Sequence, residues 1–304
     1  MLRSTFMWLA GNQQAEQMVR GSRITRPLID RFVAGEDLDE ALGHVRNIRA
    51  QGMMVTLDKL GENVSSPAEA QAAADTYLAI IGRLQQDGID PNISIKLTML
   101  GLDLDESATW ERLQAVVGRA AEAGGFVRID MEGSPYTDQT LALFRRIHDL
   151  HPANVGIVLQ SMLYRTERDV EEMIERGARV RIVKGAYNEP ETVAFPHKSE
   201  VDAAYRRQVE RLLEAGNYPA IATHDESVIR MARGYAERMG IGKDRFEFQM
   251  LYGVRRDLQQ QLTAAGYNMR VYVAYGTSWY PYFMRRLAER PANVFFLARN
   301  VVRS

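Results

Sequence analysis

Two adjacent arginines near the end of the chain form a pair that could bind an anion. Arg285 and Arg286 follow Tyr282 by three and four residues and precede Glu289, so the four share much of one face if the segment is helical. Neighbouring cations repel each other, but two guanidinium groups side by side match a carboxylate or a phosphate. The alternative is a solvated helix face on which Arg285 and Glu289 form an ion pair.

Other polar residues recur where short apolar, β-branched runs end. These residues are Asp58, Lys59, Lys96, Asp130, Glu132, Gln160, Arg181, Lys184, His224, Asp225, Gln249 and Tyr272. A surface that served only packing would not need so many ionisable groups, because a buried charge is costly unless it is paired. The pattern as a whole therefore predicts a functional site.

Single residues of this set have more than one interpretation. Lys96 lies in an otherwise apolar run, where it contacts a ligand or pairs with a carboxylate such as that of Asp130. Lys184 is a candidate Schiff-base nucleophile and equally a candidate phosphate or cofactor contact. Tyr272 belongs to the core or packs its ring on a flat ligand. His224 is a hydrogen-bonded structural group or touches a ligand.

A repeating unit must position these residues. Short apolar runs alternate with longer segments of helical period that close on Gly or Pro. The predicted strands are 53–58, 93–98, 126–132, 155–160, 179–185, 220–225, 245–251 and 269–275. The predicted helices between and after them are 67–87, 107–123, 138–150, 167–176, 199–215, 226–239, 253–265 and 279–289.

Eight strand–helix units in strict alternation predict a (β/α)8 TIM barrel, in which chemistry lies at the carboxyl ends of the strands. A doubly wound open sheet is the competing fold, but its G-x-G-x-x-G fingerprint is absent, as is a P-loop. Residues 1–52 are predicted to form an N-terminal helical arm, with an amphipathic stripe over 38–52. Residues 53–304 are predicted to form the catalytic barrel, so that the chain is one domain.

Two local patterns are ambiguous within this fold. Arg128, Asp130 and Glu132 alternate along one predicted strand and would share a face, as part of a site or as an ion-pair layer at the barrel mouth. His148 and His151 have a spacing that resembles a metal pair, but they fall at a helix end and loop. We therefore expect no metal site.

Composition and charge narrow the possible functions. The 304 residues are 46% hydrophobic and 25% charged, which is ordinary for a globular protein, and the net charge of −1 favours neither nucleic acid nor an anionic membrane. The absence of cysteine excludes disulfides, thiolate metal sites and a cysteine nucleophile, and it fits a reducing cytoplasm. The N-terminal apolar run is too short for a membrane span, and early polar residues argue against a signal peptide.

A series of motifs resembles one known family along nearly the whole chain. In order they are "SIKLTMLGLDLD", "VRIDMEGS", "VLQSMLYRT", "RIVKGAYNEP", "ATHD", "FEFQMLYGV" and "YGTSWYPYFMRRLAERPANV". Together they closely resemble the proline dehydrogenases, a family of FAD-dependent TIM-barrel enzymes. "RFVAGEDLDEAL" and "TLDKLGENV" resemble its one-domain bacterial members.

The resemblance implies a set of substrate-binding residues. They are Lys96, Leu251, Tyr272, Tyr282, Arg285, Arg286 and Glu289. Arg285 and Arg286 match the pair that binds the substrate carboxylate, and Lys96 completes that cluster. Tyr272 matches the aromatic residue that lines the proline ring, and Leu251 matches an apolar wall. Tyr282 and Glu289, on the same predicted helix, match the residues that hold the arginines in place.

The resemblance also implies catalytic and cofactor-binding residues. The cofactor contacts are Met131, Gln160, Arg181, Lys184, Gly185, Ala186, Thr223 and His224. Asp130 matches an acidic residue of the site, and Arg181 matches the residue beside the reactive flavin nitrogen. Met99 and Ala274 depart from the family pattern, which has Gln and Pro there, and these departures concern the shape of the pocket.

The implied reaction is the oxidation of L-proline to Δ1-pyrroline-5-carboxylate by hydride transfer to non-covalently bound FAD, with a quinone as final acceptor. Use of a membrane quinone implies peripheral contact of a cytoplasmic protein with the membrane face. Two alternatives are a Schiff-base aldolase that uses Lys184 or Lys96 and a non-catalytic amino-acid-binding barrel. The second is disfavoured because the charged set is intact.

Overall fold

The fold is a closed parallel barrel. The computed structural model describes residues 16, 19 and 26–289, except for the side chains of residues 27, 28, 288 and 289. The strands are β1 Met54–Lys59, β2 Asn92–Ile95, β3 Phe126–Ile129, β4 Val155–Gln160, β5 Arg179–Val183, β6 Ala220–Ala222, β7 Glu247–Leu251 and β8 Asn268–Tyr275. Each pairs in parallel with its neighbours in sequence, and β8 pairs with β1. The predicted TIM barrel is confirmed.

Helices alternate with these strands. They are α1 Arg26–Phe32, α2 Leu38–Ala50, α3 Pro67–Gln86, α4 Glu106–Glu122, α5 Thr137–Leu150, α6 Thr166–Glu175, α7 Lys198–Ala215, α8 Glu226–Arg238, α9 Arg256–Ala264 and α10 Trp279–Glu289. Short 3₁₀ turns occupy Ser134–Tyr136 and Lys243–Arg245. α3 shows the predicted start signals, since the Ser66 side chain accepts from the Glu69 N–H. Across the described ranges, no helix combines the length and apolar character that crossing a bilayer requires.

Four strands end earlier than predicted, at Ile95, Ile129, Val183 and Ala222. After Ile95 the backbone turns away from the sheet, because the N–H of Met99 donates to the carbonyl of Lys96 at 3.2 Å. Lys96 therefore lies just beyond a strand, not within one. The shorter strands leave the charged residues on the loops at the mouth of the barrel.

The last helix is held over the barrel by its own apolar core. A separate hydrophobic cluster joins α1 to α10, and the rings of Phe32 and Phe283 lie 6.5 Å apart within it. Phe283, Met284 and Leu287 are buried, so the apolar side of α10 faces this cluster. Arg285, which falls between these apolar residues, lies on the other side of the helix.

The helix before the barrel covers strands at the seam where the barrel closes. α2 packs against β1 and β8, and its predicted stripe is buried at Leu42, Val45 and Ile48. Most of residues 1–25 in the predicted helical arm lie outside the described part of the chain. The described part of the arm thus packs on the barrel wall through α2 and against α10 through α1.

Candidate active site

A large cavity lies at the carboxyl ends of the strands. Its volume is about 1640 Å³, well above the roughly 300–1,000 Å³ of typical small-molecule sites. The residues predicted for the site that line it are Lys96, Asp130, Met131, Gln160, Arg181, Lys184, Gly185, Ala186, Thr223, His224, Leu251, Tyr272, Tyr282, Arg285 and Arg286. The remaining predicted residue, Glu289, has a side chain outside the described part of the chain.

The arginines of α10 face this cavity. Arg285 donates to Glu62 from the loop after β1, with Nη2 2.7 Å from Oε1. Burial alone would lower the pKa of Arg285, but the Glu62 carboxylate raises it on balance. The guanidinium of Arg286 lies 5.1 Å from the centre of the Tyr282 ring. The ion pair with Glu62 therefore orients the Arg285 guanidinium toward the cavity, and stacking on Tyr282 orients that of Arg286.

A buried cluster of charges lies below these arginines. The Lys96 ammonium is 3.1 Å from Asp58 Oδ1 and 3.5 Å from Asp130 Oδ2. Burial raises the pKa of Asp58, and the Lys96 charge only partly opposes that shift. Burial alone would lower the pKa of Lys96, but Asp58, Tyr272 and Asp130 together raise it well above its ordinary value. Lys96 therefore remains an ammonium.

Tyr272 from β8 connects this cluster to the strands opposite. Its hydroxyl donates to Asp130 Oδ2 at 2.9 Å. Burial and the nearby carboxylates of Asp130 and Asp58 raise the pKa of Tyr272 well above its ordinary value, so the phenol stays protonated. The Tyr272 ring also lies beneath a cation, with its centre 5.2 Å from the Arg181 guanidinium carbon. The ring is thus fixed at its edge and on one face.

Arg181 from β5 is almost wholly buried, with an exposed fraction of 4%. Its Nη1 donates to Asp130 Oδ1 at 2.9 Å and to Ser94 Oγ at 3.0 Å, and its Nε donates to Gln249 Oε1 at 2.5 Å. Its Nη2 is buried and has no hydrogen-bond partner among the described residues. Arg181 therefore keeps donor capacity in the wall of the cavity.

The predicted cofactor residues lie on or just after β3, β4, β5 and β6. Lys184 pairs with Asp202 at 2.6 Å and with Asp225 at 3.3 Å. His224 Nε2 accepts from the backbone N–H of Leu251 at 2.9 Å, which leaves the ring proton on Nδ1. This side of the cavity consequently carries two paired cations, Arg181 and Lys184, beside the His224 ring.

The loop after β5 needs a glycine where it begins to line the cavity. Gly185 has a φ of +110°, and a Cβ at that position would collide with Met162. The Gln160 amide donates to the carbonyl of Glu132 at 2.8 Å and so ties β4 to the loop after β3. The backbone of these loops is thereby held close to the cavity.

One predicted grouping is wrong. β3 ends at Ile129, so the alternation that would place Arg128, Asp130 and Glu132 on one face stops before Asp130. Arg128 instead donates to the carbonyls of Ile157 and Arg179. The buried Glu132 carboxylate accepts from the backbone and hydroxyl of Thr98. These three residues do not form one ion-pair layer.

The two departures from the family pattern lie in different places. Met99 lines the cavity, and its Sδ accepts from the Tyr77 hydroxyl at 3.4 Å. Ala274 is fully buried in the cluster behind α10 and is not among the lining residues. Of the two, Met99 is therefore the one placed to shape the pocket.

Glu62 and Tyr187 are among the cavity residues that the sequence did not single out. Glu62 lies in a polar loop ahead of a helix start, where a solvated carboxylate is ordinary, and Tyr187 lies within the quoted motif "RIVKGAYNEP". Both belong to loops that follow strands, so the rule that such loops build barrel sites is the signal that could have found them. In the described ranges, no group of three or more His, Cys, Asp or Glu side chains converges as a metal site would.

Comparison with known proteins places the chain in a family. The family model described as "Proline dehydrogenase" matches residues 41–299. Proline dehydrogenase of Deinococcus radiodurans is 42% identical over 305 residues, which cover 99% of this chain and 98% of that protein. Proline dehydrogenase 2 of Bacillus subtilis is 38% identical over 303 residues and 99% of both chains.

A solved structure shows the same fold. Proline utilization A of Bdellovibrio bacteriovorus, in a crystal structure of the form inactivated by N-propargylglycine, superposes with a TM-score of 0.82 at 30% identity. The match covers 91% of this chain but only 34% of that longer protein. With a family model that spans most of the sequence and relatives matched from end to end, the chain belongs to the proline dehydrogenase family, a family of oxidoreductases.

Proposed function

We propose that this protein oxidises L-proline to Δ1-pyrroline-5-carboxylate, with hydride passing from proline C5 to non-covalently bound FAD. The observation that carries the proposal is the convergence of three cations, Lys96, Arg285 and Arg286, on a cavity that also contains the Tyr272 ring and Leu251. Proline is a small zwitterion with an apolar ring. Its carboxylate requires cations and its ring requires an apolar slot.

In this proposal the substrate carboxylate meets the α10 arginines. A guanidinium fork accepts a carboxylate through two parallel hydrogen bonds, and two forks with an ammonium nearby confine its position. Arg285 is already fixed by Glu62, so little side-chain entropy is lost when the substrate binds. Lys96 is neutralised by two carboxylates, and its contribution is the weakest of the three.

The ring of the substrate would pack against Tyr272 and Leu251. Tyr272 cannot rotate freely, because its hydroxyl is held by Asp130. Asp130 is in turn held by Arg181 and lies near Lys96, so the proposed role of this carboxylate is to position and balance the donors around it. An ordered slot of this kind contributes to catalysis by holding the reacting carbon in place.

The cavity-lining residues that we predict to contact the cofactor fit a flavin. The cavity is large enough for a dinucleotide beside an amino acid, and the buried Nη2 of Arg181 has a donor to spare. FAD, when bound, supplies the hydride acceptor. The residues that would hold it are Met131, Gln160, Arg181, Lys184, Gly185, Ala186, Thr223 and His224. A cation such as Arg181 stabilises negative charge that develops nearby during reduction.

Electrons would then pass to a quinone, and peripheral contact with the cytoplasmic membrane face would serve that step. The overall charge of −1 supports no role in binding nucleic acid. The Schiff-base alternative loses support from the structure. Lys96 and Lys184 are both paired with carboxylates, and the high pKa of Lys96 opposes its action as a neutral amine.

The visible spectrum of the purified protein tests the proposal. We expect a flavin spectrum that bleaches when L-proline is added under anaerobic conditions. Acid precipitation should release the yellow colour into the supernatant, because the flavin is not covalently attached. A colourless protein that is active on proline would rule out the flavin, and trapping of substrate by borohydride would favour the aldolase.

A further inference from the structure

A chain of hydrogen-bonded side chains runs through the interior of the barrel, from the cavity toward the opposite end. Asp130 accepts from Arg181 Nη1 at 2.9 Å, and Arg181 Nε donates to Gln249 Oε1 at 2.5 Å. Gln249 Nε2 donates to Glu247 Oε1, and Glu247 accepts from Arg270 Nε at 2.9 Å. Gln249 is the link between the cavity and the residues beneath it.

The amide of Gln249 can take only one orientation in this chain. Gln249 and Glu247 are two residues apart on β7 and so face the same side of the sheet. The carbonyl of Gln249 meets an N–H of Arg181, and its amide N–H meets the Glu247 carboxylate. A flipped amide would set donor against donor and acceptor against acceptor, so the buried carboxylate fixes the carbonyl toward Arg181.

Gln249 makes a contact to Arg181 that no other described residue makes. The other two hydrogen bonds, to Asp130 and Ser94, both leave from Nη1, so they leave rotation about the bond that carries the guanidinium less restrained. The bond from Nε to Gln249 fixes the plane of the group. With that plane fixed, Nη2 is the nitrogen left without a partner among the described residues.

We propose that Gln249 is a positioning residue, which fixes the plane of the Arg181 guanidinium and thereby keeps Nη2 available to the flavin. The inference rests on the proposed function, since the flavin is the group that Nη2 would meet. Gln249 lines the cavity, is 4% exposed and acts through Arg181. Its role is separate from proline binding, which we assign to the α10 arginines.

The test is Gln249→Met, which keeps the length of the side chain and removes both polar atoms. The variant should fold, because Glu247 keeps Arg270 and Arg181 keeps Asp130. We expect the rate constant for flavin reduction by L-proline to fall about tenfold to a hundredfold, since small misplacement of a catalytic group has effects of this order. The flavin potential should become more negative. The Kd for proline should stay within about threefold, because the carboxylate contacts are intact.

A second readout does not require flavin. The Nε–H of Arg181 gives a side-chain NMR signal, which should be protected from exchange with water in the unmodified protein. Gln249→Met should lower that protection at least about tenfold, the loss expected when a hydrogen bond of about 1.5 kcal/mol is removed. If the unmodified protein binds no flavin, the proposed function fails, and this measurement still decides the role of Gln249.

A matched control and a rescue complete the design. Gln208→Met changes another buried glutamine, on α7, that is not in the chain, and it should change neither the potential nor the Arg181 signal. The double variant Q249E/E247Q exchanges amide and carboxylate, so an acceptor for Arg181 is restored with the same total charge. We expect it to recover most of the rate and the protection.

Two results would overturn the inference. The first is a Gln249→Met variant that keeps its reduction rate, potential and Nε–H protection. The second applies if Gln249→Met does not fold: a folded Q249E/E247Q variant that leaves the Arg181 Nε–H unprotected would show that the carbonyl of Gln249 does not hold Arg181.

Discussion

The two ends of the barrel interior both contain buried charges, but the charges at the two ends have different surroundings. At the carboxyl end, Lys96, Asp130 and Arg181 line the cavity. At the other end, Arg270 donates to Glu247, and Arg128 donates to backbone carbonyls. None of the residues at this second end is among the cavity-lining residues. Buried charge in a strand is therefore no sign of a site by itself.

The two ends differ in what surrounds their cations. In the lower set, which we define as Arg128, Arg179, Glu247 and Arg270, three cations lie near one carboxylate, with which Arg270 forms an ion pair. The guanidinium of Arg179 lies 4.6 Å from the Phe126 ring centre and 4.5 Å from the Tyr218 ring centre. These groups are enclosed by carbonyls and rings, so the lower set should contribute to stability and the upper one to binding.

The largest expected effect is on stability, from Glu247→Ala. Glu247 is 1% exposed and pairs with Arg270, so its removal leaves a buried cation without its carboxylate. Breaking such a pair costs about 3–5 kcal/mol in the free energy of unfolding. Urea unfolding measures the loss. Glu167→Ala breaks an exposed pair with Arg207 and should cost less than about 1 kcal/mol. Equal losses of stability in the two variants would show that the buried pair contributes no more than the exposed one.

The next effect is on substrate binding, from Arg286→Ala. Loss of one partner of a largely desolvated charge pair costs roughly 2–5 kcal/mol, or about 30-fold to a few thousand-fold in proline affinity. Flavin should remain bound, because its proposed contacts lie on or just after β3 to β6 and not on α10. Arg286→Lys should recover only part of the loss, since an ammonium lacks the two-donor fork. Flavin bleaching during proline titration measures the affinity.

A control from the lower set sharpens this test. Arg179→Ala removes the same side chain from the other end of the barrel and should change proline affinity by less than about threefold, below the cost of one charged hydrogen bond. If Arg285→Ala and Arg286→Ala also bind proline within about threefold of the unmodified protein, then the α10 arginines do not bind the substrate carboxylate.

A smaller effect should follow from Glu62→Ala. Glu62 holds Arg285 in place, and ordering one long side chain on binding costs about 0.5–1.5 kcal/mol. We therefore expect proline to bind about 2- to 12-fold more weakly in titrations of the variant. Glu69→Ala removes a rim carboxylate that bonds Ser65 instead, and it should have little effect. Tighter binding in Glu62→Ala would mean that Glu62 competes with the substrate carboxylate.

The smallest expected effect is an opposite pH dependence of two buried carboxylates. Burial raises the pKa of Glu132, so its stabilising contribution is complete below pH 4.5 and is lost as the pH rises through the raised value. Burial would raise the pKa of Glu247, but Arg270 and other donors lower it on balance. Its contribution is present above pH 4.5 and is lost as the pH falls through the lowered value.

Urea unfolding of Glu132→Gln and Glu247→Gln across this range checks the signs. Relative to the unmodified protein, Glu132→Gln should gain stability as the pH rises above 4.5, and Glu247→Gln should gain stability as the pH falls below 4.5. If stability changes with pH in the same direction in both variants, the pKa values of the two carboxylates are not shifted in opposite directions.

The sequence predicted the barrel and many of the polar residues that line the cavity, for identifiable reasons. Strand runs and helical periods alternate along the chain, and the carboxyl ends of parallel strands must meet at one edge. That rule alone brings Lys96, Asp130 and Tyr272 together. It could not place Glu132, because the parity rule holds only while a strand lasts, and β3 stops at Ile129.

The sequence by itself determined which residue types meet at the mouth of the barrel, since local periodicity sets the elements and topology sets their ends. Tertiary structure alone decided which charges pair. Arg285 bonds Glu62 across 223 positions of sequence, and Arg181 bonds Gln249 across 68. Such pairings depend on side-chain directions within about an ångström, because hydrogen bonds are lost beyond roughly 3.5 Å. No spacing rule along the chain carries that information.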